Sequence, residues 1–272
     1  MNLPVLTVGE FDLVFNMLSL AVAAMFGSFV FFVIARNQVA HKYRPALIMS
    51  SLVVGIAGYH YWRIFGSWDA AFMPKFDMVD GAKVLVGYEP SGKPFNDAYR
   101  YVDWLLTVPL LVAELIAVLA LSRTVRTPMM TKLIIASVLM IATGYPGEIS
   151  SDNMVRGVWG AVATVPFCYI LYVLWVELTK ATETASPRVK KLLSDTRLVL
   201  LGTWGFYPIA YLMPQLGVDA GSATVALQVG YSVADILAKC AYGFMIYAIA
   251  KAKMEDEGID AQGAPIAAAE AA

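Results

Sequence analysis

The stretch VALQVGYSVADILAKCAYGFMIYAIA, Val225 to Ala250, decides the fold. As a helix it is long enough to cross about 30 Å of hydrocarbon, yet it carries Lys239 in its middle and Asp235 one helical turn earlier. An ionisable side chain at bilayer depth costs about 2.5–3.5 kcal/mol even on the lenient insertion scales, so it marks a functional site. The i and i+4 spacing puts both groups on one helix face, where they can neutralise each other. A buried lysine is also the residue type that forms Schiff bases, because desolvation favours its neutral, nucleophilic amine.

Working outward, the rest of the chain belongs to the same solvent. Its 272 residues are 59% hydrophobic and 15% charged, and the mean hydropathy is +0.64, too apolar for an ordinary soluble domain. Apolar runs long enough to span a bilayer fall near Phe11–Ile34, Ala46–Phe65, Tyr99–Leu121, Lys132–Gly147, Val155–Leu178, Leu198–Leu216 and Val225–Ala250. The expected fold is therefore an all-α membrane protein, a bundle of seven transmembrane helices over residues 1–253. Residues 254–272, rich in Ala, Gly and acids, read as a disordered tail.

Basic residues near the span ends set the orientation. Arg36, His41, Lys42 and Arg44, then Arg123, Arg126 and Lys132, then Lys180, Arg188, Lys190, Lys191 and Arg197 place the first, third and fifth connections in the cytoplasm. Lys251 and Lys253 place the C-terminus there too, leaving the N-terminus outside. The second connection carries Asp69, Asp77, Asp80, Glu89 and Asp97 and is expected to be extracellular. Within it, Lys83–Tyr88 followed by Pro90-Ser-Gly-Lys-Pro94 reads as a short β-hairpin with its turn. Neither a cleavable secretory signal nor a disulfide framework is expected, since Cys168 and Cys240 both fall within spans. The expected surroundings are a lipid bilayer, with no metal site and no nucleic-acid partner.

The third span carries a line of polar groups. At about 100° per residue, Asp103, Thr107 and Glu114 fall near 0°, 40° and 20°, and Arg100 near 60°. Lipid cannot solvate such a stripe, so it must face the bundle interior. Asp103 and Glu114 are separated by about 16 Å along the axis. Two carboxyls on either side of an intramembrane amine have the layout of a proton relay: Asp103 near the cation is expected to stay ionised and accept, and Glu114, alone among apolar residues, to stay neutral at rest and donate. The permanent charge of Arg100 suits a fixed counter-charge to Asp103 and Asp235.

Three segments, Tyr99-Arg-Tyr-Val-Asp-Trp-Leu-Leu-Thr-Val-Pro109, Trp204-Gly-Phe-Tyr-Pro208 and Asp235-Ile-Leu-Ala-Lys239, resemble the third, sixth and seventh helices of a microbial rhodopsin. The resemblance covers nearly all of residues 10–253 and implies the microbial rhodopsin fold. It implies that Lys239 holds all-trans retinal as a protonated Schiff base, with Asp103 and Asp235 as counterions and Arg100 below them. It further implies an enclosing wall of Trp104, Met140, Trp159, Trp204, Tyr207, Pro208 and Tyr211, with Leu111 at the spectral-tuning position, as in green-absorbing members. His60 matches the histidine that pairs with the primary counterion.

The triplet Asp103, Thr107 and Glu114 resembles the light-driven outward proton pumps of the proteorhodopsin and xanthorhodopsin branch, in which the first acid accepts the proton and the last returns one. The family's sodium and chloride pumps replace or lack the first acid. That branch implies a bacterial inner-membrane protein assembled as pentamers or trimers, with protons as the transported ion. Members that release a proton early carry a glutamate pair where Gln215–Gln228 offers only Asp219, which points to late release. Gly160 matches a glycine that opens a window onto the retinal ring, which implies room for a carotenoid antenna, a xanthophyll. The competing readings are a photosensor signalling through a separate transducer, which has little use for Glu114, and a receptor for a diffusible ligand, which has none for Lys239 and Asp235.

Overall fold

The structure, a computed structural model, describes residues 3–150, 152–212 and 219–266, excepting the side chains of residues 211–212. Seven long helices run through these residues: α1 (Val8–Ala35), α2 (Arg44–Ala71), α3 (Tyr99–Val118), α4 (Arg123–Glu148), α5 (Asn153–Ala181), α6 (Pro187–Leu212) and α7 (Ala220–Glu257). α1, α3, α4, α5 and α7 are long and apolar enough to cross a membrane by length and composition alone. α2 and α6 have 28 and 26 residues. α2 carries Arg63 and α6 carries Arg188, Lys190, Lys191, Asp195 and Arg197 in its first half, which lowers the average without shortening the helix.

Helices outrun the apolar segments that announce them, because backbone hydrogen bonding does not stop where side chains become polar. The expected fourth span, Lys132–Gly147, is the inner part of a helix that begins at Arg123. Local signals fix several starts. Thr7 caps α1 in a reciprocal box with Glu10, and the Asp152 side chain accepts from the backbone of Met154 and Val155 at the head of α5. Neighbours in sequence pack as neighbours in space from α1 to α5 and from α6 to α7, and α7 closes the ring against α1. Among the described residues the seam between α5 and α6 is the loosest. α3 is the most enclosed helix, and the polar stripe it carries is the reason it must be.

The hairpin joins α2 to α3 but turns elsewhere than the sequence reading placed it. Strand β1 (Phe72–Val79) pairs antiparallel with β2 (Ala82–Pro90), and the turn is Asp80-Gly81, not the Pro90–Pro94 segment. Both turn residues have positive φ, 52° and 80°, as a two-residue turn matched to strand twist requires. Leu6 bridges to Tyr88, and its carbonyl lies where a side chain on Gly87 would be, so only glycine admits the contact. Phe11 stacks on Tyr88 with centroids 3.8 Å apart and anchors the hairpin root to α1.

At the other end of the chain, α7 runs past Lys253 to Glu257 and ends at Gly258 in the left-handed conformation. Residues 259–266, where the composition suggests a disordered tail, fold back: Ile259 bridges Pro265, and Asp260 accepts from the backbone of Gln262 and Ala264. Glu257 ties this segment to the α1–α2 connection through Tyr43 at 2.8 Å and Lys42 at 2.5 Å. Burial pushes the Tyr43 hydroxyl pKa upward, and the Glu257 carboxylate adds to the shift.

Candidate functional site: a buried amine between two carboxylates

Lys239 lies in a π-helical turn, Ile236–Ala241, that interrupts α7. Such turns shift the register of the side chains that follow and recur at functional sites. Asp235 sits at the head of the turn, and Lys239 Nζ donates to its Oδ1 at 2.6 Å. The same nitrogen lies 3.1 Å from Asp103 Oδ2 on α3. All three residues are 2% exposed or less.

The two acids are held differently. Asp235 also accepts from Tyr61 Oη on α2 at 2.7 Å, Tyr207 Oη on α6 at 2.5 Å and Trp104 Nε1 on α3 at 3.4 Å. Asp103 has no such set. Its Oδ1 has no hydrogen-bond partner among the described residues, and His60 Nδ1 stands 3.8 Å away. The His60 ring makes its 3.0 Å contact with the Ile56 carbonyl instead, one turn back on α2. The Thr107 hydroxyl likewise donates to the backbone carbonyl of Asp103, at 2.8 Å, rather than to its carboxylate.

Glu114 is fully buried at the far end of the stripe, where Ser50 Oγ on α2 donates to its Oε2 at 2.6 Å. Between this pair and Lys239, the Tyr242 hydroxyl donates to the Leu111 carbonyl at 2.8 Å. Arg100 is buried on the same stripe but makes no ion pair with Asp103 or Asp235 among the described residues. Its guanidinium is packed instead against the rings of Tyr61 and Tyr231.

An apolar cavity of about 310 Å³ leads away from Lys239. Trp104, Leu111, Met140, Gly160, Trp204, Tyr207 and Pro208, all expected from the resemblance, line it. Trp159 does not: the α5 wall is made of Gly157, Gly160, Ala161, Ala163, Thr164 and Phe167. The Tyr211 side chain and Gln215 lie outside the described parts of the chain. Gly157, Ala161 and Thr164 are exposed and line the cavity, so its wall at α5 is made of small residues.

Several site residues escaped the sequence reading. Ser50 and Tyr61 on α2 and Tyr242 on α7 meet Glu114, Asp235 and the Leu111 carbonyl, each on another helix, so no local pattern pairs them. Tyr101, Phe167 and Tyr231, which also line the cavity, carried a readable signal: each lies three, four or seven residues from a residue already placed at the site, on the same helix face.

The model of the bacteriorhodopsin-like protein family matches residues 13–253. The chain belongs to this family, the microbial rhodopsins. Over 234 residues it is 32% identical to the green-light absorbing proteorhodopsin of Gamma-proteobacterium EBAC31A08, spanning 85% of this chain and 84% of that protein. Among solved structures, thermophilic rhodopsin is 52% identical with a TM-score of 0.88, covering 94% of this chain and 100% of that one. Xanthorhodopsin, described as a light-driven ion pump with dual chromophore, is 53% identical with a TM-score of 0.87, covering 94% and 99%. Seven helices with a two-stranded hairpin between the second and third fit this family's fold.

The residues present fit the family's retinal. A buried primary amine opens on an apolar cavity walled by two tryptophans and several tyrosines, and two carboxylates stand ready to balance the charge that the amine nitrogen carries.

Proposed function

We propose that this rhodopsin is a light-driven pump that moves protons outward across a bacterial inner membrane, with all-trans retinal joined to Lys239. The carrying observation is the placement of Lys239 Nζ between Asp103 and Asp235, with Glu114 buried apart from them on the same face of α3. Bound there, retinal supplies the absorption of visible light and a light-driven change of shape beside the lysine nitrogen.

The protein's own groups divide the remaining work. Asp235, saturated by donors from Tyr61, Tyr207, Trp104 and Lys239, serves as a fixed negative charge. Asp103 is 3.1 Å from the nitrogen and keeps an oxygen free of donors, so it is the acceptor of the Lys239 Nζ proton. Glu114 returns a proton to the nitrogen from the opposite side. Its apolar surroundings and single Ser50 hydrogen bond suit a carboxyl that holds its proton until the nitrogen has lost one. Acceptance on one side and return from the other make the transfer directional.

The small residues of the α5 wall support a second element of the reading. With Gly160 in place of a bulky residue, a flat polyene such as a xanthophyll on the outer surface of α5 would come close to the cavity. The xanthorhodopsin described as having a dual chromophore is similar over nearly the whole chain.

The test is the pH of an unbuffered suspension of cells expressing the protein with all-trans retinal, followed under green light with and without a protonophore. Light-driven acidification abolished by the protonophore is expected. A coloured, inserted protein that gives no pH change would overturn the pump in favour of a sensor, and alkalinisation enhanced by the protonophore would mean that another ion is moved.

A further inference from the structure

Arg100 packs against aromatic rings and makes no direct ion pair with an acid among the described residues. It is 2% exposed, and its polar side-chain neighbour is the Tyr61 hydroxyl, not a carboxylate at ion-pair distance. What touches the guanidinium is aromatic: Cζ lies 5.2 Å from the ring centre of Tyr231 and 5.7 Å from that of Tyr61, both within cation–π reach.

We propose that Tyr231 is a positioning residue whose ring face keeps the Arg100 guanidinium beside Asp103 and Asp235. The Tyr231 ring is itself fixed from two sides. It stacks on Tyr207, with centroids 5.8 Å apart and planes 19° apart, and Tyr207 bonds Asp235. The Phe206 ring meets it edge-on at 6.0 Å, and Phe206 occupies the space that a side chain at Gly230 would fill. Tyr61, the other ring on Arg100, also bonds Asp235. Both aromatic holders of the arginine are therefore wired to the carboxylate that stays charged.

Contacts with ring faces tolerate displacement far better than a bidentate ion pair does. Arg100 thus sits as a charge that can shift when its neighbours change protonation, with Asp97 and Glu148 as the other acids within electrostatic reach. Tyr231 sets how readily it shifts. The inference rests on the proposed function only in taking Asp103 as the proton acceptor.

Two measurements on the full chain test it, using Tyr231→Phe, which keeps the ring face, and Tyr231→Leu, which removes it. In the retinal-loaded protein, the pH midpoint of the colour change in the dark reports the charge of the acids around Lys239. It should stay at the parent value in Tyr231→Phe, move by about one pH unit in Tyr231→Leu, and not move further when Tyr231→Leu is added to Arg100→Gln. In the retinal-free protein, the guanidinium ¹⁵N signals of Arg100, identified by their loss in Arg100→Gln, should shift in Tyr231→Leu and hold in Tyr231→Phe. Should Tyr231→Leu fail to fold, Tyr231→Met makes the same comparison. A ring-free variant with the parent's midpoint and Arg100 signals would overturn the proposal, as would an equal midpoint shift in the Arg100→Gln background. The NMR arm needs neither retinal nor transport, so a failed pump assay leaves this result readable.

Discussion

The Lys239 amine lies closer to Asp235, at 2.6 Å, than to Asp103, at 3.1 Å. The nearer acid is the one on its own helix, brought into reach by the i and i+4 spacing and the π-helical turn between them. The Tyr61, Tyr207 and Trp104 side chains also donate to Asp235 and not to Asp103. Two carboxylates sharing one amine in a buried place are thereby made unlike each other, one saturated with donors and one left able to take a proton.

Removing the amine should abolish colour and strain the fold together. In Lys239→Ala, all-trans retinal should give no visible band, since no other described lysine lines the cavity. Asp103 and Asp235 would also lose their cation in a buried site, at a cost of about 3–5 kcal/mol. A visible band formed on retinal addition to the variant would sink the lysine assignment, and thermal unfolding in detergent reads the second effect.

Filling the small-residue wall at α5 should separate the antenna from the pump. Gly160→Trp places a large ring where the cavity meets the exposed residues Gly157, Ala161 and Thr164. Pumping under green light should persist, while excitation of an added xanthophyll should no longer drive it. An action spectrum recorded for both proteins decides the matter: a carotenoid contribution that survives in Gly160→Trp removes Gly160 from that role.

The architecture was legible because hydropathy writes membrane helices plainly, and the stripe on α3 was legible because charges in a span must share one face. Arg100, Asp103, Thr107 and Glu114 are all buried, as that argument requires. What the sequence hid were partners from other helices. Nothing near Ser50 announces Glu114, which lies 64 residues away, and nothing near Tyr61 announces Asp235, at 174 residues. The π-helical turn at Lys239 contains neither Pro nor Gly and left no mark. The hairpin turn was missed for a different reason: Asp80-Gly81 is a strong two-residue signal, and the more conspicuous Pro-Ser-Gly-Lys-Pro run drew the turn beyond the second strand.

Acid should loosen the head of α7 through Asp219. Its carboxylate accepts from the Ser222 N–H, at 2.9 Å, and this backbone hydrogen bond holds its pKa below the ordinary 3.8. A depressed carboxylate stabilises the folded state above its unfolded pKa and loses that contribution as pH falls through the folded value. The melting temperature should therefore carry an acid-side decline below about pH 4 that is shallower in Asp219→Asn, which keeps a capping oxygen without the charge. Superimposable melting profiles for the two proteins between neutral and strongly acid pH would show that the cap contributes nothing.

Ser50 offers the sharpest test of the proton-return route, because it touches Glu114 and no other part of the site. Its hydroxyl donates to Glu114 Oε2 at 2.6 Å and also approaches the Ala46 carbonyl at 3.2 Å, so the serine proton has two acceptors to choose between. When Glu114 gives up its proton, the Ser50 hydroxyl is the group placed to stabilise the carboxylate left behind in otherwise apolar surroundings. Glu114→Gln cannot donate a proton and should slow reprotonation of the lysine nitrogen by about 10²-fold or more. Ser50→Ala leaves the donor in place but removes that support, and should slow the same step by about 10-fold. Combined with Glu114→Gln, Ser50→Ala should add almost nothing, since its effect acts through the carboxylate. Flash photolysis at fixed pH follows the step directly, and a Ser50→Ala effect that persists undiminished in the Glu114→Gln background would show that the serine acts on something other than the donor.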